Sequence, residues 1–206
     1  MAFVSRLSAS TVLAITLLPL SAVPQTVRIG APAPAFTATD SHGQTESLNQ
    51  LHGKYVVLEW HNQGCPYTRK HYESGNMQNL QKEWTQKGVA WFTVISSAPG
   101  KQGYVTANQE NAFISQVHAA PTAVLLDPEG KLGRLYDAKT TPHMFVIDPA
   151  GKLIYAGAID NRPTTEAKDV RGADNYVSDA LTAAMAGKPV ATPHTRSYGC
   201  SVKYAN

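Results

Sequence analysis

Residues 55–68 read Tyr55-Val56-Val57-Leu58-Glu59-Trp60-His61-Asn62-Gln63-Gly64-Cys65-Pro66-Tyr67-Thr68. The first six form an almost continuous apolar run rich in β-branched and aromatic side chains, the pattern of a strand covered on both faces in a parallel sheet. Pro66 suits the first position of a helix, where a missing N–H costs nothing. Beyond it Met77, Leu80 and Trp84 recur at three- and four-residue spacing until Gly88 stops the pattern, and Gly75 is a point of division or kinking. Cys65 therefore falls where a buried strand turns into a helix. A thiol there faces unpaired backbone N–H groups and the positive end of the helix dipole, and both favour the thiolate, the reactive form of cysteine. Arg69 and Lys70, one turn on, could add favourable charge. The competing reading is a buried and inert cysteine.

Outward from this unit the chain alternates. Val89 to Ile95 reads as a second strand, the stretch around Ala112, Phe113 and Val117 as a helix, and Thr122 to Leu126 as a short strand before the turn Asp127-Pro128-Glu129-Gly130. A helical turn is expected through Leu135 and Tyr136. Met144 to Ile147 and Leu153 to Ala156 flank Asp148-Pro149-Ala150-Gly151 and read as a hairpin. Asp174 is placed to cap a last helix carrying Tyr176, Val177, Leu181 and Met185, which Gly187 ends. Residues 24–54 suit an N-terminal hairpin or extended lead-in. Strand–helix alternation implies parallel pairing and the closing hairpin adds antiparallel strands, so the expected fold is α/β, a mixed central sheet with helices on both faces.

Apolar residues make up 43% of the 206 and charged residues 16%, which fits a globular chain and excludes a disordered one. Residues 1–22 differ from the rest. Arg6 gives a weakly basic start, Ser10 to Leu20 is an apolar run, and Ser21 and Ala22 are small, the layout of a secretory signal peptide. The run is shorter than the ~20 apolar residues of a membrane span, an uncleaved anchor being the alternative. The expected organisation is a signal peptide over 1–22, one domain over 23–187 and a C-terminal tail over 188–206, extended over the surface and carrying Cys200. The expected location is periplasmic or secreted, with no stable membrane insertion after processing. The formal charge of +3, about +2 once Arg6 is removed, is too small to indicate a nucleic-acid partner. Two cysteines in an oxidising compartment, Cys65 and Cys200, make either one structural disulfide or one redox pair.

The stretch from Trp60 to Thr68 resembles the active-site segment of thioredoxin-fold proteins, where a cysteine sits between the first core strand and its helix. Gly30-Ala31-Pro32-Ala33-Pro34-Ala35-Phe36, with Asp40, Gly43 and Leu48 later, is similar to the opening of the alkyl hydroperoxide reductase/thiol-specific antioxidant (AhpC/TSA, redoxin) family. Thr141-Pro142 before Met144-Phe145-Val146-Ile147-Asp148 resembles that family's cis-proline loop. Gly199-Cys200-Ser201-Val202-Lys203-Tyr204 looks like the tail of its peroxiredoxin-like subgroup. Two departures matter. The second cysteine of a thioredoxin Cys-x-x-Cys pair is replaced by Thr68, so local disulfide exchange is closed to this chain. The residues before Cys65 also lack the Pro-x-x-x-Thr-x-x-Cys pattern of typical peroxiredoxins.

The resemblance implies a thioredoxin-like fold and thiol–disulfide chemistry centred on Cys65. Cys200 would resolve the intermediate; the purely structural alternative is a bridge contributing ~5 kcal/mol through loop closure. Glu59 matches the buried acid of thioredoxins, and a desolvated carboxylate would serve as an acid/base partner; the alternative places it on a solvated face. Thr141 and a cis Pro142 would offer backbone hydrogen bonds to an extended substrate. Trp60, Pro66 and Thr68 are read as part of the same substrate-facing surface. The implied partners are a thiol or disulfide substrate, protein or small molecule, and an external reductant such as a thioredoxin-like protein. A weak thiol peroxidase and a non-catalytic copper-binding or metallochaperone module are the alternatives. His61 and His71 flank Cys65 and His143 follows Pro142, but no pair has a dedicated ligand spacing. His61, at a strand end, reads as polar surface, and Tyr67, Tyr72 and Trp84 as core or groove-lining. No metal ligand and no cofactor is assigned.

Overall fold

The computed structural model describes residues 27–205, so the expected signal peptide lies outside the described residues. The lead-in forms a small antiparallel hairpin, β1 (Thr37–Thr39) with β2 (Thr45–Ser47). The central sheet has five strands: β3 (Val56–Trp60), β4 (Ala90–Ile95), β5 (Ala123–Leu126), β7 (His143–Ile147) and β8 (Leu153–Gly157). Their order is β5-β4-β3-β7-β8, with β3, β4 and β5 parallel and β7 and β8 antiparallel to their neighbours. A two-residue strand, β6 (Thr140–Thr141), precedes β7, and β9 (Cys200–Ser201) pairs with it outside the sheet.

The helices are α1 (Pro66–Glu73), α2 (Asn76–Gln86), α3 (Ala107–Gln116), α4 (Lys131–Leu135) and α5 (Tyr176–Met185). Gly75, at φ 75°, divides α1 from α2, a backbone geometry that favours glycine. Thr106 and Gln109 form a capping box for α3. Asn175, not Asp174, caps α5: its side chain accepts from Ser178 N–H at 2.9 Å, whereas Asp174 accepts from Asn161 Nδ2 in the loop.

Strand periodicity of two sorts the side chains into two cores. On one face Val56, Leu58, Trp60, Phe92 and Phe145 pack with Phe36, Leu48, Leu132 and Tyr136, so the N-terminal lead-in and α4 cover it. On the other, Val57, Trp91, Met144 and Tyr155 pack with Tyr72, Met77, Leu80, Trp84, Val177 and Leu181, from α1, α2 and α5. This is the mixed α/β sheet with helices on both faces expected from the strand–helix order. Among the described residues no helix is long and apolar enough to cross a membrane.

Candidate active site

Cys65 is the N-cap of α1, and Pro66 opens the helix behind it. The strand-to-helix corner is tight: Asn62 Oδ1 accepts from Gly64 N–H at 2.8 Å and Asn62 carbonyl from Cys65 N–H at 3.0 Å. The Cys65 side chain is fully covered, and its thiol donates to the Thr141 carbonyl oxygen at 3.0 Å. The Thr141–Pro142 bond is cis, as the sequence led one to expect, and it brings that carbonyl to the sulfur.

The tail closes the site. It runs back across the domain, and β9 lies antiparallel to β6 with Cys200 opposite Thr141. Each side of Cys200 is fastened. Upstream, Thr195 Oγ1 accepts from Ala158 N–H at 2.9 Å, and the Tyr198 hydroxyl donates to Asp160 Oδ1. The Tyr198 ring packs beside Tyr67 of α1 and under the Lys70 ammonium, 5.2 Å from its centroid. Downstream, Val202 N–H donates to Lys139 carbonyl, the Lys203 carbonyl accepts from Ala98 N–H, and Arg134 stacks on Tyr204. The tail is therefore a built part of the site and not only an extended surface segment.

Both cysteines are free thiols, and they are unequal. Burial alone would push the Cys65 thiol up. Hydrogen bonding from the Cys200 thiol and from the Thr68 and Cys200 backbone N–H groups outweighs burial, so its pKa falls below the ordinary thiol value. Cys200 moves the other way: burial, then its hydrogen bond to Cys65, then the Cys65 charge push it up to about 11. The first turn of α1 thus aims the Thr68 N–H at the sulfur, as a helix N-terminus does. The two basic residues of that helix do not. Arg69 reaches Glu73 on the exposed surface at 3.7 Å, and buried Lys70 donates to the Arg162 carbonyl at 2.6 Å.

Glu59 is fully buried, which settles its face. It accepts from Tyr72 hydroxyl at 2.8 Å on one oxygen and from Gln81 Nε2, Trp91 Nε1 and Thr93 Oγ1 at 3.0, 2.9 and 3.2 Å on the other. His61 is buried as well, 1% exposed, which corrects its reading as polar surface. Glu110 of α3 was not expected at the site at all. It is 0% exposed, 3.8 Å from His61 Nε2, and carries no sequence signal beyond a carboxylate on a helix.

The residues expected to face substrate divide. Thr141, Pro142, Thr68 and Pro66 surround Cys65, although Thr141 and Thr68 are covered while the tail is docked. Trp60 does not join them. It points to the opposite face of the sheet from Glu59, is 0% exposed, packs against Tyr136 and Phe145, and donates its indole N–H to Ser96. Trp60→Ala is accordingly expected to lower the unfolding free energy by ~3–5 kcal/mol, read from urea denaturation; a loss below ~1 kcal/mol would return Trp60 to the surface. Among the described residues no group of three or more His, Cys, Asp or Glu side chains is placed to hold a metal ion.

Known proteins carry related chains. A thiol-disulfide oxidoreductase ResA of Bacillus subtilis (strain 168) is 25% identical over 130 residues, 63% of this chain and 67% of its own. A protein of the same name from Bacillus thuringiensis (strain Al Hakam) is 28% identical over 128 residues, 62% and 68% of the two chains. Among solved structures, an uncharacterized conserved protein from Geobacillus kaustophilus superimposes with a TM-score of 0.73 at 22% identity, over 87% of this chain and 94% of that one. A putative thiol:disulfide interchange protein DsbE from Chlorobium tepidum does so with a TM-score of 0.51 at 27% identity, over 64% and 85%. Residues 29–156, from the lead-in through the five-stranded sheet and the cysteine corner, match the AhpC/TSA family, and the chain belongs to it.

Proposed function

We propose that this chain, a peroxiredoxin-like member of its family, is an exported thiol–disulfide oxidoreductase in which Cys65 is the nucleophile and Cys200 the resolving cysteine. The observation that carries the proposal is the pairing of Cys200 opposite Thr141, the residue whose carbonyl accepts the Cys65 thiol, on a strand built on the cis-proline loop. The unequal thiols support the assignment of roles. The Cys65 thiolate attacks a substrate disulfide, a new S–S bond forms at Cys65, and one substrate sulfur leaves as a thiolate. Cys200, deprotonated, then attacks the Cys65 sulfur, releasing the second substrate thiolate and leaving a Cys65–Cys200 disulfide. Glu59 is the acid/base partner of this exchange, with His61 3.7 Å away. A separate dithiol, such as a thioredoxin-like protein, restores the reduced pair.

The Thr141 edge, on which an extended disulfide substrate would pair, is held by β9 in the structure. A protein substrate therefore displaces the tail, whereas a small disulfide needs only a partial opening. The leader-like composition of residues 1–22 supports a periplasmic or secreted location, where such chemistry is needed.

Titration of the mature protein in defined thiol buffers, with peptide mapping, tests the reading. A Cys65–Cys200 disulfide that opens above about −300 mV is the expected result, because structural bridges usually lie below that. Cys65→Ser is expected to reduce exchange with a disulfide substrate to the uncatalysed rate, and Cys200→Ser to stop at a mixed disulfide on Cys65. A bridge that resists reduction would make the pair a staple and sink the proposal.

A further inference from the structure

Between β3 and α3 the structure holds a cluster of titratable side chains in which the exchange as written gives a role to Glu59 alone. Glu59 and Glu110 are both fully buried, and the His61 ring lies between them, Nδ1 3.7 Å from Glu59 Oε1 and Nε2 3.8 Å from Glu110 Oε1. Neither ring nitrogen has a hydrogen-bond partner at closer range. Glu110 is poorly provided for: Gln63 Nε2 donates to Oε2 at 2.8 Å, and Oε1 has no donor. Among the described residues no lysine or arginine approaches either carboxylate within 4.0 Å.

We propose that His61 is a positioning residue for the thiol exchange: it is held as an imidazolium between Glu59 and Glu110 and places a positive charge beside Cys65. This rests on the exchange reading given above. The geometry argues it directly. A neutral imidazole has one N–H and one lone pair, so it would turn the lone pair on one of the two carboxylates. Only the imidazolium presents an N–H to both. A buried carboxylate with a single donor is costly unless a charge partner is near, and His61 is that partner for Glu110. Burial opposes the charge, but the nearby Glu59, Glu110 and Cys65 charges together raise the His61 pKa.

Every element packed on the ring fits this role. Glu59 comes from β3, Tyr72 from α1, and Glu110 and Phe113 from α3, while Cys65 at the corner acts on the ring through its charge. Tyr72 and Phe113 hold the imidazole with ring centroids 4.9 and 5.4 Å away. The Tyr72 hydroxyl is pushed well above its ordinary pKa by burial and by Glu59, so it remains a neutral donor to Glu59. A cavity of about 280 Å³ lined by His61, Gln63, Thr68, Tyr72 and Phe113 opens toward the exposed Arg69 and Glu73, whose charges pair with each other. That cavity gives His61 a path for proton exchange with solvent.

The chemical consequence is electrostatic. When an external thiolate attacks the Cys200 sulfur of the Cys65–Cys200 disulfide, the S–S bond breaks, a new S–S bond joins Cys200 to the attacker, and the electron pair stays on Cys65. His61 stabilises that thiolate with no proton transferred. Reciprocally, a charged Cys65 favours a charged His61, so the imidazole binds its proton more tightly in the reduced protein than in the oxidised one.

Two equilibrium titrations of the full mature chain test the proposal. Nitrogen-detected NMR of the wild-type imidazoles, with His61 assigned by its contacts to Tyr72 and Phe113, is expected to show His61 protonated at neutral pH in the reduced form. Ultraviolet thiolate absorbance against pH is expected to show the Cys65 midpoint rising in His61→Gln by about one unit, which is about tenfold less thiolate at any pH below it. A neutral His61 in the wild-type protein, or an unmoved thiolate midpoint in a folded His61→Gln protein, overturns the proposal. Should His61→Gln not fold, the wild-type imidazole spectrum decides alone. Neither readout involves turnover, so a protein that shows both titrations but exchanges no disulfide contradicts the functional reading and leaves the charge assignment intact.

Discussion

Replacing Gly199 by alanine is expected to slow closure of the Cys65–Cys200 disulfide by about 5–150-fold, the rate factor for about 1–3 kcal/mol of backbone strain. Gly199 has φ 131°, a conformation that other residues rarely adopt, and a Cβ there would fall on the Thr141 carbonyl oxygen. That oxygen is backbone, and it is the acceptor for the Cys65 thiol, so it is poorly able to give way. The alanine is accommodated by lifting the strand that carries Cys200, which separates the two sulfurs. Rapid oxidation of the reduced protein by excess small-molecule disulfide, followed by acid quench and mapping, distinguishes the steps. The mixed disulfide on Cys65 should form at least as fast as in wild type, because the cover is loosened, and then persist. Unchanged closure would show that the tail finds Cys65 without the β6–β9 register.

The unit that decides the fold was legible because its signals are local. The apolar run of β3, a proline at the first helical position and the glycine between α1 and α2 are each read within a few residues. Strand periodicity also contained a distinction that the expectation for Trp60 missed. Neighbouring strand residues face opposite sides, so Trp60 and Glu59 cannot share the site, and Glu59 is the one on the side of α1. What was not legible depends on distant pairing. The burial of His61 is completed by Phe113 and Glu110 of α3, the latter 3.8 Å away in space but far along the chain, and nothing near His61 announces it. The docking of the tail rests on a two-residue strand and on Tyr198, Thr195 and Tyr204 finding partners across the domain. Segments of that length have no periodicity to read. The cap of α5 failed for a simpler reason: Asp174 and Asn175 are both good caps, and sequence does not choose between adjacent candidates.

When the oxidised protein meets an external thiol, the adduct should form on Cys200 in about tenfold preference to Cys65. Two independent features point to the same sulfur. The first is access. The Cys65 side chain is fully covered by Thr141, the first turn of α1 and β9, while Cys200 lies partly open at the surface. An attacking thiolate must reach a disulfide sulfur along the S–S axis, and only Cys200 offers that approach with the tail in place. The second is the leaving group. Attack at Cys200 expels Cys65, which keeps the Thr68 N–H as a donor to its thiolate, whereas attack at Cys65 would expel Cys200, whose thiolate burial disfavours. The better-stabilised thiolate leaves faster, and about 1.4 kcal/mol of difference between the two is enough for about tenfold. The measurement is a rapid acid quench of the oxidised protein with isotopically labelled glutathione, followed by alkylation and mapping of both peptides. Label found mainly on Cys200 means that the reductant acts on the tail and that Cys65 is released as the thiolate ready for the next substrate. Label found mainly on Cys65 would mean that forming the disulfide pulls β9 off β6, exposes the Thr141 edge, and makes oxidation itself the event that opens the site to a partner.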